Sequence, residues 1–220
     1  MRPSRTPATT ALIAIIVAVF TAEIVKGIPL VGVSDADIPR LIEMGAIVPG
    51  IFARGDYWRL VAAMFLHIGI LHLLLNLWAL FQLGGVFETM FGTPRFVATY
   101  FVAGLSASIA SAWNAGGVSA GASGAIFGIL GALIFAIRRS PVWRHEPWTK
   151  NFTRQLIGWA ALNVVVGFTV PGIDNAAHLG GFAMGLLLGF VPHRVPPPPP
   201  GRYVIDTEAR RPGGEIPWDR

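Results

Sequence analysis

The chain has no cysteine. That excludes disulfides, thiolate metal sites and a cysteine nucleophile together, and leaves the redox compartment open. Charge is scarce too: 13% of residues are charged, against roughly 25% in an ordinary soluble domain. Hydrophobic residues make up 53%. A chain with so little polar surface cannot cover itself in water, so lipid has to cover it. Its length suits one domain or two. A net charge of +5 would suit a nucleic-acid ligand in a soluble protein. In a membrane protein the basic residues belong in cytoplasmic loops, and no nucleic-acid partner is expected. No internal repeat of the kind that marks many transporters is present.

What the sequence has in quantity is long apolar runs. A helix needs about 20 such residues to cross the hydrocarbon core. Six candidates follow one another: Ala8–Val25, Leu60–Leu83, Phe96–Ala112, Ser123–Ile137, Gln155–Val170 and Asn175–Val191. The expected architecture is all-α, a polytopic membrane bundle over residues 1–192. The fourth and fifth runs are short, and Trp143 and Trp148 are expected to frame them at the interface. Met1-Arg2-Pro3-Ser4-Arg5 resembles a leader. However, the following run is long for a leader core, and Glu23-Ile24-Val25-Lys26 is a poor cleavage site, so the run is read as a span.

Orientation follows from the loops. With the amino terminus inside, 13 of the 17 Lys and Arg residues fall in inside segments, including the cluster Arg138, Arg139, Arg144, Lys150 and Arg154. Both termini are therefore expected in the cytoplasm of a plasma (inner) membrane, and the fourth and sixth runs begin at the outer face. The outer loop Gly27–Arg59 is too long to be structureless; short helices are expected, for example around Asp37–Met44. The tail 193–220 opens with Pro196 to Pro200 and reads as polyproline II followed by disorder, with a proline-motif partner as a secondary possibility.

Polar residues inside spans are costly and usually functional. Ser123 in Gly121-Ala122-Ser123-Gly124 would, taken alone, be a helix cap. It also stands at a helix amino terminus, where free N–H groups and the helix dipole would stabilise an oxyanion. A serine hydroxyl needs a base, and His178 lies at matched depth in the sixth run. Gly124, Gly128 and Gly131 on the fourth run and Gly181, Gly185 and Gly189 on the sixth would let the two backbones approach closely. His67, His72 and Asn76 admit three readings: a metal site, polar ties between helices, or oxyanion donors. The last is favoured, because His72 and Asn76 share a helix face and no carboxylate is near them in sequence. Asp174 is either a cap for the sixth helix or a third triad member, and the cap is favoured.

Trp58-Arg59, His67 through His72 to Asn76, Gly121-Ala122-Ser123-Gly124, and Ala177-His178-Leu179-Gly180-Gly181 with Gly185 occur in that order. The set resembles the rhomboid family of intramembrane serine proteases over roughly residues 8 to 191. The resemblance implies a six-helix bundle with a water-accessible site open to the outer face. It also implies a Ser123–His178 dyad without a third acid. His72, Asn76 and the Ser123 backbone N–H would be the oxyanion donors, with Gly121, Phe127 and His67 in support. Transmembrane proteins would be the substrates, and no cofactor or metal would be needed. Trp58-Arg59 would be a structural motif of the first outer loop. Phe127 stands where a tyrosine often stacks on the base: the ring is kept and the hydroxyl is lost. Two rivals remain, a rhomboid-like protein that binds helices without cutting them, and a small transporter using the intramembrane histidines.

Overall fold

The computed structural model describes residues 6–191 apart from 32, 115, 116, 142, 145 and 171. Residues 1–5 and the tail 193–220, on which the leader and polyproline expectations fall, lie outside the described residues. No strand forms among the described residues; one antiparallel bridge joins Ile47 to Ser119. The helices are α1 (Pro7–Val25), α2 (Ile38–Met44), α3 (Ile51–Arg54), α4 (Arg59–Ala62), α5 (Ile70–Ala79), α6 (Gly85–Phe91), α7 (Thr93–Asn114), α8 (Ser123–Arg139), α9 (Pro147–Thr169) and α10 (Asn175–Gly189). A π turn, Leu80–Gly84, joins α5 to α6, so Ile70–Phe91 is one continuous rod of 22 residues.

Among the described residues three helices are long and apolar enough to cross a membrane: Pro7–Val25, Ile70–Phe91 and Thr93–Asn114. Length and apolarity thus identify three spans by themselves, not six. The other long helices differ for physical reasons. α8 has 17 residues and α10 has 15, about 26 and 22 Å of rise, short of the roughly 30 Å hydrocarbon core. α8 has no need to match the bilayer, because buried residues run all round it from Gly124 to Ile137 and its neighbours, not lipid, surround it. α9 begins eight residues ahead of its expected start and carries Lys150, Asn151 and Arg154 in its first turns. Trp143, expected at the interface, is instead buried and packs edge-on against Phe91.

The second expected run, Leu60–Leu83, is broken. After α4 the chain leaves the helix and resumes it only at Ile70, past Gly69 with φ +86°. The intervening polar backbone finds partners elsewhere. Gly121 N–H donates to Ala63 O at 2.9 Å, Tyr100 Oη donates to Met64 O at 3.4 Å, and the Glu23 carboxyl accepts His67 N–H at 2.9 Å. His67 therefore lies in this non-helical link, not in the span.

The long outer loop is folded as expected around Asp37–Met44. A 3₁₀ turn, Asp35–Asp37, leads into α2. The Ser34 N–H, and then its hydroxyl, donate to Asp37 and hold that carboxyl below the usual carboxylate range. Arg59 donates to the Ile42 and Ala46 carbonyls and lies over the Trp58 ring at 4.8 Å. Trp58 in turn fills the space beside Gly45, where a Cβ would meet the indole at 2.4 Å. The Trp-Arg pair is thus a clip inside the loop.

Two further clamps hold the bundle. Glu88, in the first turn of α6, accepts N–H groups from Ala8 and Thr9 and hydroxyls from Thr9 and Thr93. It therefore caps α1, whose own N-cap residue Thr6 makes no side-chain bond. Arg95 on α7 donates to the Leu188 and Val191 carbonyls, both at 3.1 Å, at the end of α10.

At the centre α8 and α10 touch backbone to backbone. A Cβ on Gly185 would stand 1.9 Å from Gly128 O, and one on Gly181 2.0 Å from Gly124 O. No side chain fits there, and the backbone carbonyls cannot swing aside. Gly185→Ala is expected to lower stability by about 1–3 kcal/mol, read as a fall in the thermal unfolding midpoint in detergent. Gly158→Ala on α9, where a Cβ would meet nothing within 4 Å, is expected to leave the midpoint unchanged or raise it slightly.

Candidate functional site

Ser123 is the first residue of α8, and Ala122 occupies the N-cap position without a side-chain bond. The serine is therefore not the cap that its position alone suggested. Its Oγ lies 2.9 Å from His178 Nε2. The pairing follows from the glycine contact: Gly181, one turn after His178, seats against the Gly124 carbonyl, which brings the starts of the two helices to one level. The first N–H groups of α8 have no carbonyl one turn back to bond, so Ser123 stands beside backbone donors and the positive end of a helix.

The His178 ring stacks on Phe127, with centroids 4.3 Å apart and planes 9° apart. Phe127 is buried and leans in turn on Trp159. His178 Nδ1 is buried with no hydrogen-bond partner among the described residues. Asp174 does not reach it as an acceptor; its Oδ1 accepts the Ala177 N–H at 3.0 Å, and it is the N-cap of α10. The imidazole is thus fixed by a ring face and not by a carboxylate.

Gly121 sits just before the serine with φ +139°, a conformation that a side chain rarely adopts. Its N–H is spent on Ala63 O, and the preceding loop is sewn to the outer loop by the Ile47–Ser119 pair, at 2.8 and 3.0 Å. A Cβ at Gly121 would lie 2.7 Å from His72 Cε1 and 3.0 Å from its Nε2. His72 therefore presents its outer ring edge to the strand-like segment that delivers the serine. The Ile68 N–H donates to His72 Nδ1 at 3.3 Å. That bond leaves the proton of a neutral imidazole on Nε2, the edge toward Gly121.

Asn76 is buried one turn along α5, and its amide nitrogen donates to the His72 carbonyl at 2.9 Å. This bond uses one of the two amide hydrogens and leaves the other. The His67 ring lies beside that of His72, with centroids 5.2 Å apart; its Nδ1 faces Phe65 O at 3.2 Å, and its Nε2 is buried without a partner among the described residues. Among the described residues no group of three or more acidic or histidine side chains gathers as a metal site.

The structure thus brings together Ser123 with His178, His178 with Phe127, and Gly121 with His72. It gives no hydrogen bond from His72 or Asn76 to Ser123. Two buried carboxyls that matter to the arrangement, Glu23 and Glu88, were not among the expected site residues. The signal for both was present: an acid within or at the end of an apolar run is costly unless it has partners.

These features define an all-helical integral membrane protein with a serine and an imidazole paired inside the bundle. A family model for the Rhomboid domain matches residues 54–195, more than half of the chain, and the chain belongs to the rhomboid family. It is 39% identical over 145 residues to the Rhomboid protease GluP of Bacillus subtilis (strain 168), covering 66% of this chain and 28% of that one. To the RHOMBOID-like protein 5 of Arabidopsis thaliana it is 40% identical over 157 residues, covering 70% and 50%. To the RHOMBOID-like protein 1 of the same plant it is 37% identical over 174 residues, covering 78% and 43%. The chain therefore spans half or less of the length of these curated relatives.

The capping bond of Asp174 makes a prediction that separates it from a catalytic acid. Asp174→Ala is expected to cost about 0.5–2 kcal/mol of stability, read by thermal unfolding. Its turnover of a cleavable reporter should stay within about tenfold of wild type, whereas loss of an orienting triad acid costs about 10⁴ in kcat.

Proposed function

We propose that this chain is an intramembrane serine endopeptidase that hydrolyses peptide bonds in or beside the transmembrane helices of membrane-protein substrates. The observation that carries the reading is the 2.9 Å contact between Ser123 Oγ and His178 Nε2 at the amino terminus of α8. The family membership and the printed name of one relative, a rhomboid protease, point the same way.

In this mechanism His178 Nε2 takes the hydroxyl proton as Ser123 Oγ attacks the scissile carbonyl. The tetrahedral oxyanion is held by the Ser123 backbone N–H, His72 Nε2–H and the unspent amide hydrogen of Asn76. His178 then gives its proton to the leaving amine. Water, deprotonated by the same imidazole, releases the acyl group. Phe127 supplies the stacking plane that keeps the base aimed, and Gly121 leaves room for the His72 ring. His67 supports the turn that leads into α5. Helical carbonyls are already bonded, so a substrate has to unwind locally, which favours small and helix-weakening residues near its cleavage point.

Six spans with both termini in the cytoplasm of a plasma (inner) membrane, and a site open to the outer face, complete the proposal. The distribution of Lys and Arg among the loops supports it. Residues 1–192 would form the membrane domain and 193–220 a Pro-rich tail able to bind a partner. A rhomboid-like protein without activity would keep the fold without needing the Ser123–His178 contact.

The test is cleavage of a single-span reporter by purified protein. Ser123→Ala and His178→Ala are expected to abolish it, and Asn76→Ala to lower the rate by about 10²–10³. A Ser123→Ala protein that still cleaves would overturn the reading.

A further inference from the structure

Glu23 is fully buried near the end of α1, and the mechanism above does not use it. Its Oε1 accepts the backbone N–H of His67 at 2.9 Å, and its Oε2 is buried with no partner among the described residues. A carboxyl in such a place is expensive and has spent its one bond on the non-helical link before α5. The next N–H along that link, from Ile68, is the one that donates to His72 Nδ1. Two consecutive N–H groups of an irregular segment thus have assigned acceptors, one on α1 and one on the ring of His72.

The link is also held by the Gly69 N–H to His67 O bond at 3.1 Å and by buried Leu66, but Glu23 is the acceptor that takes the His67 N–H itself. The segment is not helical, and it turns through Gly69 before Ile70 N–H bonds Leu30 O at 2.9 Å. The peptide plane that carries the Ile68 N–H follows directly on the residue held by Glu23. That N–H decides the tautomer of His72: with Nδ1 accepting, Nε2 keeps its hydrogen and faces Gly121. An oxyanion can be stabilised by an Nε2–H and not by a bare Nε2.

We propose that Glu23, through the His67–Ile68 backbone, is a positioning residue that sets the tautomer and the aim of His72. This rests on the reading of His72 as an oxyanion donor. Glu23 touches no reacting atom; it acts from the first span on a group of the second. The requirement is for an acceptor at Oε1 and not for charge, so a glutamine at this position does the same work.

The test compares Glu23→Gln, Glu23→Leu, His72→Ala and the double variant Glu23→Leu/His72→Ala with the full chain in lipid vesicles. Glu23→Gln should keep kcat within about threefold. Glu23→Leu should lower kcat by about ten- to a hundredfold, the scale of a small misplacement of a catalytic group, with KM within about twofold. On the His72→Ala background Glu23→Leu should lower kcat no further. A merely structural carboxyl would give effects that multiply in the double variant, and that result overturns the proposal, as does Glu23→Gln behaving like Glu23→Leu.

Should Glu23→Leu fail to fold, nitrogen NMR of histidine-labelled wild type, assigned by loss of the His72 signal in His72→Ala, still decides. The expected state is protonated Nε2 with bare Nδ1, and the opposite tautomer overturns the proposal. If His72→Ala itself keeps wild-type kcat, it is the oxyanion reading that falls, and the tautomer measurement still judges the structural link to Glu23.

Discussion

Everything in this molecule hangs on the seam where α8 and α10 meet without side chains. Gly181 and Gly185 lie against the carbonyls of Gly124 and Gly128 so closely that a single methyl group has no place. In lipid, water gives no reason for two apolar helices to associate; close van der Waals contact has to supply it. The seam does so along several turns. It also has a geometric consequence. Two backbones held at that distance put the first side chains above the seam, Ser123 and His178, within one hydrogen bond of each other. The contact that assembles the bundle is the contact that makes the pair.

Around that seam the bundle is tied by a few buried or part-buried polar groups whose partners are distant in the chain. Glu88 holds the amino end of α1 to the start of α7. Arg95 closes the end of α10. Glu23 anchors the link ahead of α5. Each satisfies backbone groups that helix ends or breaks leave open. The short α8 belongs to the same logic: encased on every side, it is measured against protein and not against the bilayer.

Much of this was legible in the sequence. Apolar runs located five of the six long helices to within a few residues at most ends, because hydropathy reports directly on the solvent. The glycine spacing announced the seam, and serine and histidine at matched depth announced the pair. The break in the second run was not legible. Ala63 to Gly69 look as apolar as a helix, and the groups that satisfy their backbone, on Gly121, Tyr100 and Glu23, lie far away in sequence. The early start of α9 was missed because its first turns are polar. The burial of Trp143 was missed because an interfacial tryptophan and a core tryptophan are the same residue. The roles of Glu23 and Glu88 depend on which loop ends meet them, which only the packed fold decides.

The central claim is that His178 activates Ser123 inside the bundle. The most direct measurement is peptide mapping by mass spectrometry after treating the protein in vesicles with a fluorophosphonate, which phosphonylates activated serine hydroxyls. The account predicts one adduct, on Ser123, that disappears in His178→Ala while the serine itself is still present. An adduct on another serine, or labelling of Ser123 at full rate without His178, would contradict it.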